Sequence, residues 1–256
     1  MKVSIITTCY NRAKTIRETI ESVLSQDYPN VEYIIIDGAS TDDTMSIVNE
    51  YAGRIHVVKS EPDKGMYEGI NKGLRIATGD VVGLMHSDDV YYATDTISRI
   101  VKEFERTGAD LVYGNGLFVK PADLNCVVRD WISGGFVKNK IRRGWLPLHT
   151  TVYVKREMFE KYGYYDEQYK IAADSEWLVR CLYKHSVNVS YINEYIVKMR
   201  MGGASTSIRL TKRKWQEDLK LYHRHGLSPY ISVTCKVISK VPQFVAAKVK
   251  HWIGVF

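Results

Sequence analysis

Residues 81–89 read Val81-Val82-Gly83-Leu84-Met85-His86-Ser87-Asp88-Asp89, an apolar run that stops in two adjacent acids. A buried strand ending this way delivers negative charge to the edge of a sheet. In an open α/β sheet the C-terminal strand ends are where ligands bind. Two neighbouring carboxylates repel each other, and a divalent cation relieves the repulsion. Mg²⁺ and Mn²⁺ take oxygen ligands, and Mg²⁺ commonly keeps waters and substrate phosphates in its shell. The same residues would also suit a solvated turn that caps a helix, so the rest of the chain has to decide.

Upstream, three more strand-like runs lead to this one. Residues 3–8 are β-branched and end in Thr7-Thr8-Cys9-Tyr10-Asn11. Residues 31–36 end in Asp37-Gly38, and residues 55–58 precede Glu61-Pro62-Asp63-Lys64-Gly65. Between the runs lie stretches of helical period, as in residues 15–26, where Ile16, Ile20, Val23 and Leu24 share a face. Residues 45–51 and 66–77 are the next two helices. Strand–helix alternation predicts parallel strands with right-handed crossovers. Asp37, Asp63 and the Asp88–Asp89 pair then converge on one sheet edge. There is no G-x-G-x-x-G after the first run and no G-x-x-x-x-G-K-[ST], so neither common phosphate-cradling loop is present.

Further on, residues 94–106 read as a helix and 111–119 as a strand. Residues 121–139 carry no clear period and read as loop with short strands. Residues 151–154 and 187–197 read as strands, and 156–162, 177–184 and 210–225 as helices. Residues 201–207 are small and polar, expected to be mobile.

The whole chain narrows the alternatives. At 256 residues it suits one large domain, or one domain plus an appendage. We divide it into 1–227, with a nucleotide-binding half (1–110) and an acceptor-side half (111–227), and an extension, 228–256. No window reaches 18 uninterrupted apolar residues, so no spanning helix is indicated. Residues 1–6 enter a strand-like run directly and do not read as a signal peptide. Cys9, Cys126, Cys181 and Cys235 are scattered without a Cys-x-x-Cys pair, which argues against structural zinc and fits a reducing cytosol. The net charge of +7 would suit nucleic acid, an anionic membrane or anionic substrates. Four lysines of the extension (Lys236, Lys240, Lys248, Lys250), with no acid, supply more than half of it. Read as helix, the extension sets Val237, Ile238 and Val241, then Phe244, Val245, Val249, Trp252, Ile253 and Phe256, against the lysines. Such a basic amphipathic tail suits an anionic membrane surface. Basic residues are not interleaved with stacking aromatics and no recognition motif appears, so nucleic acid is not expected as a partner.

The motifs together resemble a family. V-S-I-I-T-T-C-Y-N, I-I-I-D-G-A-S-T-D-D-T, S-E-P-D-K-G-M-Y-E-G-I-N-K-G and A-T-G-D-V-V-G-L-M-H-S-D-D, then G-W-L-P-L-H-T-T and A-A-D-S-E-W-L-V-R, look like the family 2 glycosyltransferases of GT-A fold, over residues 3–203. The resemblance implies an α/β fold, Rossmann-like, with a mostly parallel sheet flanked by helices. It implies an inverting enzyme that uses Mn²⁺ or Mg²⁺ and moves a hexosyl or N-acetylhexosaminyl group from a nucleotide diphosphate to an acceptor hydroxyl. A UDP-sugar is the expected donor and a lipid-linked glycan of surface polysaccharide the expected acceptor. The expected location is the cytoplasm, peripheral on the cytoplasmic face of the inner membrane.

By position, the resemblance puts Thr8 and Tyr10 beside the nucleobase, Asp37 by base and ribose, and Asp63 and Lys64 on the base side. Asp88 and Asp89 fill the Asp-x-Asp region, one toward ribose and the other toward metal, in an order left open. Asp174 matches the general base, and Ala172-Ala173 before it would raise its pKa modestly. Trp145 and His149 are acceptor-side candidates. Two positions depart from the family. Many members have a second Asp where Gly38 stands, and an Asp where His86 stands. Those departures favour the alternative of a catalytically weak nucleotide-sugar-binding subunit; Asp174 argues against it. The Q-x-x-R-W signature of processive members is absent, so one sugar per encounter is expected.

Overall fold

The structure is a computed structural model that describes residues 1–202 and 211–253. Most of the segment 201–207 and the last tail residue Phe256 therefore lie outside the described residues.

The first half alternates as expected: β1 (Val3–Cys9), α1 (Ile16–Leu24), β2 (Val31–Asp37), α2 (Thr44–Asn49), β3 (Val57–Ser60), α3 (Met66–Ile76), β4 (Val81–Leu84). These four strands are parallel in the order β3-β2-β1-β4. β1 is buried along nearly its whole length because helices cover both sheet faces. Val3 and Ile5 pack with α1 residues Ile16 and Ile20, whereas Ile6 packs with α3 residues Tyr67, Ile70 and Leu74. Gly73 lets α3 close on the sheet: a Cβ there would stand 2.5 Å from Ile6 Cγ2.

The second half builds the other wall. It comprises β5 (Val90–Tyr91), α4 (Thr96–Thr107), β6 (Leu111–Lys120), β7 (Asp123–Trp131), β8 (Tyr153–Lys155), α5 (Glu157–Tyr162), α6 (Ala173–Lys184), β9 (Val189–Arg200) and α7 (Thr211–Arg224). The sheet continues β4-β8-β6-β9-β5, nine-stranded in all, with β7 paired to β6. β8 runs antiparallel to β4, and β9 runs parallel to β6. β7 falls in the stretch that shows no period in sequence. The reason is local. Register shifts at Phe118/Val119 and Val119/Lys120 break the two-residue alternation of the β6–β7 pair.

The extension forms α8 (Pro229–Ile238) and α9 (Val241–Trp252), each with proline in its first turn. Both pack on the acceptor-side half. The Ser232 hydroxyl donates to the Arg142 carbonyl at 2.9 Å, and the Arg129 guanidinium donates to Gln243 at 2.7 Å. Lys236 pairs with buried Asp218 at 2.8 Å and Lys250 with buried Asp130 at 2.6 Å, so these two lysines turn inward while Lys248 stays exposed. The apolar face is left outside, with Ile238 62%, Val241 61% and Trp252 86% exposed. Among the described residues no helix is long and apolar enough to cross a membrane.

Candidate active site

A cleft of about 680 Å³ opens at the C-terminal ends of β1 and β4. Thr8, Tyr10, Asp63, Asp88, Asp89, Trp145, His149 and Asp174 all line it. Asp37 and Lys64 are not among its lining residues.

Asp37 is placed differently because it is used to build the edge. It is fully buried, and its carboxylate accepts from the Ser40 and Ser60 hydroxyls and the Ser40 amide. The Asn11 side chain accepts from the Thr41 amide at 2.8 Å, and the Asn11 amide donates to Ser40 Oγ at 2.8 Å. Asn11 has φ +52°, a left-handed conformation that asparagine tolerates. Asp37 and Asn11 thus fasten the loops after β1 and β2 together. Lys64 is exposed, its amide bonded to Glu68.

Asp63 lies against Gly38. A Cβ on Gly38 would stand 2.8 Å from Asp63 Oδ2, so the glycine leaves this carboxylate its room.

The Asp88–Asp89 loop is held from behind. Thr15, at the N-cap of α1, and Thr19 within it donate to the carbonyls of Ser87 and Asp89, both at 2.8 Å. The Arg200 guanidinium donates to the Asp88 carbonyl at 2.7 Å, and its amide donates to Asp89 Oδ1 at 3.1 Å. Asp89 Oδ2 is buried with no hydrogen-bond partner. Burial, and then the neighbouring charge of Asp88, push the Asp89 carboxyl well above the ordinary aspartate range. An orphaned, rigidly held carboxylate oxygen beside a second acid fits a divalent cation, which would neutralise it. Among the described residues no group of three or more potential ligands gathers. Mg²⁺-type sites commonly use one or two carboxylates and complete the shell with water and phosphate.

Asp174 stands in the first turn of α6, which begins at Ala173 rather than at Trp177. The N-cap position itself is Ala172, and the Asp174 carboxylate also accepts from the Ser175 amide. The expected upward pKa shift is reversed. Burial raises the carboxyl, but the positive fields of His149, Lys236 and Lys214 outweigh it and hold Asp174 below its ordinary value. Burial drives His149 itself down to about 4, so near neutral pH the lysines and the Ser175 amide carry this effect.

His149 is buried, and its Nε2 lies 2.9 Å from the Tyr165 hydroxyl. It has a structural partner and still faces the cleft. Trp145 is half-buried, donates to the Ser133 carbonyl at 3.0 Å and packs against Tyr113 and Phe136. His86, where many family members carry Asp, lines the cleft as well. Burial lowers its pKa against the opposing charges of Asp88 and Asp174, which favours the neutral imidazole.

Sequence reasoning missed Tyr67, Arg12 and Arg200, which also line the cleft. Tyr67 sits on the apolar stripe of α3 and reads as core. Arg200 closes β9, with nothing in its surroundings to tie it to Asp88.

Comparison with known proteins identifies the family. Residues 4–167 match the family model for Glycosyl transferase family 2. A PGL/p-HBAD biosynthesis glycosyltransferase of Mycobacterium bovis is 29% identical over 217 residues, 80% of this chain and 79% of that one. Escherichia coli WfaP, a UDP-Glc:alpha-D-GlcNAc-diphosphoundecaprenol beta-1,3-glucosyltransferase, is 38% identical over 134 residues, 48% of this chain and 53% of its own. Among solved structures, S. aureus TarS in complex with UDP-GlcNAc aligns with TM-score 0.68 at 20% identity, over 86% of this chain and 65% of that one. The mannosyltransferase PcManGT from Pyrobaculum calidifontis, in complex with GDP-Man and Mn²⁺, aligns with TM-score 0.66 at 20% identity, over 96% and 73%. At that identity these two establish the fold alone, which is GT-A. With more than half of its length matched by the family model, the chain belongs to glycosyltransferase family 2 and is a glycosyltransferase.

Proposed function

We propose that this chain is an inverting, metal-dependent transferase that moves one sugar from a UDP-sugar to a hydroxyl of a lipid-linked glycan. The observation that carries the reading is the shared cleft, with the orphaned Asp89 carboxylate in one wall and Asp174 in another. Thr8, Tyr10 and Asp63 take the nucleoside side, with Asp37 acting through the loops it ties and Lys64 at the rim. Asp89, with Asp88 beside it, would hold Mn²⁺ or Mg²⁺; a bound ion supplies charge neutralisation on the leaving diphosphate.

Asp174 does the proton work. As the acceptor oxygen bonds to the anomeric carbon and the bond to the diphosphate oxygen breaks, its carboxylate takes the hydroxyl proton. Its depressed pKa keeps it ionised and ready near neutral pH. Trp145 and His149 belong to the acceptor side. The outward apolar face of α8 and α9 would rest on an anionic membrane, where Lys248 adds charge. That placement fits an acceptor anchored in lipid.

The test is a screen of nucleotide sugars for Mn²⁺-dependent hydrolysis and transfer by the full chain. Turnover of a UDP-sugar that EDTA stops and Mn²⁺ restores is the expected result. Retention of UDP without turnover of any donor would make the chain a binding subunit instead.

A further inference from the structure

On Asp174's side the cleft is lined by four cations from separate parts of the chain: Arg129 of β7, Lys214 of α7, Lys236 of α8 and Lys240 between α8 and α9. Lys236 is already paired with Asp218 and lies 3.4 Å from the hydroxyl of Ser175, the neighbour of Asp174.

Arg129 is the unusual member. It is 5% exposed and sits over the rings of Phe118, Trp131 and Phe244, 4.7, 4.4 and 5.5 Å from their centroids. Its Nε is satisfied by Gln243, but its Nη2 is buried with no hydrogen-bond partner. A buried guanidinium nitrogen left open costs stability unless something completes it. Burial also lowers Arg129 to about 10 and, helped by the neighbouring lysines and Arg129, Lys240 to about 8. Both cations are thus held out of water, and at Lys240 the neighbouring positive charges add to the strain; a bound anion would relieve both.

The charge and position define the anion. Several converging cations exceed what one carboxylate neutralises and suit a diphosphate, whose oxygens accept from Arg and Lys together. The donor's diphosphate leaves on the face opposite the attacking hydroxyl, so an anion on the side of the base belongs to the acceptor. Val241 and Val245, exposed on α9 beside Phe244, continue from the cluster as an apolar surface.

We infer that Arg129 and Lys240, with Lys214 and Lys236, bind the diphosphate of an acceptor whose hydrocarbon tail runs over the exposed face of α8 and α9. The inference rests on the reading of Asp174 as the acceptor-side base.

The probe is farnesyl diphosphate, titrated calorimetrically into the full chain in EDTA, which removes the metal-dependent donor site. The expected result is binding that Arg129→Gln and Lys240→Gln each weaken by about tenfold, the scale of a charge-assisted hydrogen bond. Inorganic pyrophosphate should bind more weakly, and farnesol not measurably. No binding to the unaltered chain, or binding by both variants as tight as that of the unaltered chain, overturns the site. Pyrophosphate binding as tight as farnesyl diphosphate overturns the lipid-linked acceptor and leaves a free diphosphate. UDP titration with Mn²⁺ reports on the donor reading separately and shows that each variant is folded. Should Arg129→Gln fail to fold, Lys240→Gln decides, since that side chain is only partly buried.

Discussion

The Tyr67 hydroxyl lies 3.1 Å from Asp174 Oδ1 and 2.9 Å from the Ile171 carbonyl, joining residues 107 positions apart. Its one proton serves two acceptors, so α3 of the first half orients the carboxylate of the second. Tyr67 is a positioning residue. We expect Tyr67→Phe to lower kcat by about tenfold, the worth of one hydrogen bond to a charged group. UDP affinity should stay unchanged. An unaltered kcat, read by initial rates at saturating donor, would reduce Tyr67 to packing.

Asp174→Asn removes the base itself and keeps the shape. The expected outcome is a fall in kcat of at least about a hundredfold with donor binding retained. Loss of donor affinity with kcat intact would move Asp174 to the nucleotide side.

For Asp89→Asn, the amide oxygen can still accept from the Arg200 amide, so the loop should hold. Mn²⁺-dependent UDP binding should disappear because the neutral side chain no longer offers the orphaned anionic oxygen. Calorimetric titration of UDP with and without Mn²⁺ checks this, and an unchanged Mn²⁺ dependence would remove Asp89 from the metal site.

Gly38 and Asp63 are coupled by contact. Gly38→Asp brings a second carboxylate to a place where a Cβ alone meets Asp63 at 2.8 Å. Displacement of Asp63 should weaken UDP binding by about tenfold, within the range of coupling between touching residues. Adding Asp63→Asn should recover part of that loss by removing the like-charge repulsion. Strictly additive effects in this double-mutant cycle would show that the two positions act independently.

Glu32 offers a pH test of the scaffold. Its carboxylate accepts from Lys2, Ser4 and Thr78 beneath the sheet. Burial raises its pKa, but these bonds prevail and bring it down from 4.5 to about 2. A depressed acid stabilises the fold fully above its unfolded value and loses that contribution as pH falls through the folded one. Glu32→Gln should therefore destabilise the protein by about 2 kcal/mol at pH 7. The gap from the parent should close between pH 4.5 and about 2. A gap independent of pH in denaturant unfolding would make the effect one of shape.

Much of the first half was legible in the chain itself. Apolar runs such as Val81–Leu84 encode strands buried on both faces, and the acids that follow them mark the ligand edge. β7 was not legible, because its bulged pairing with β6 destroys alternation. Periodicity also cannot say which acids an edge will use internally. Asp37 and Asp63 look alike in sequence, yet the Ser40 and Ser60 hydroxyls claim the first and the space beside Gly38 leaves the second in the cleft.

The tail shows the division most plainly. Sequence alone determined that α8 and α9 are amphipathic, since side-chain spacing fixes what shares a helix face. Only the tertiary structure decided which face is buried. Asp218 and Asp130 come from α7 and β7, and these buried acids draw Lys236 and Lys250 inward. An ion pair across elements depends on where the chain returns in space, so spacing alone could not show that Lys236 and Lys250 turn inward while the apolar stripe lies outside.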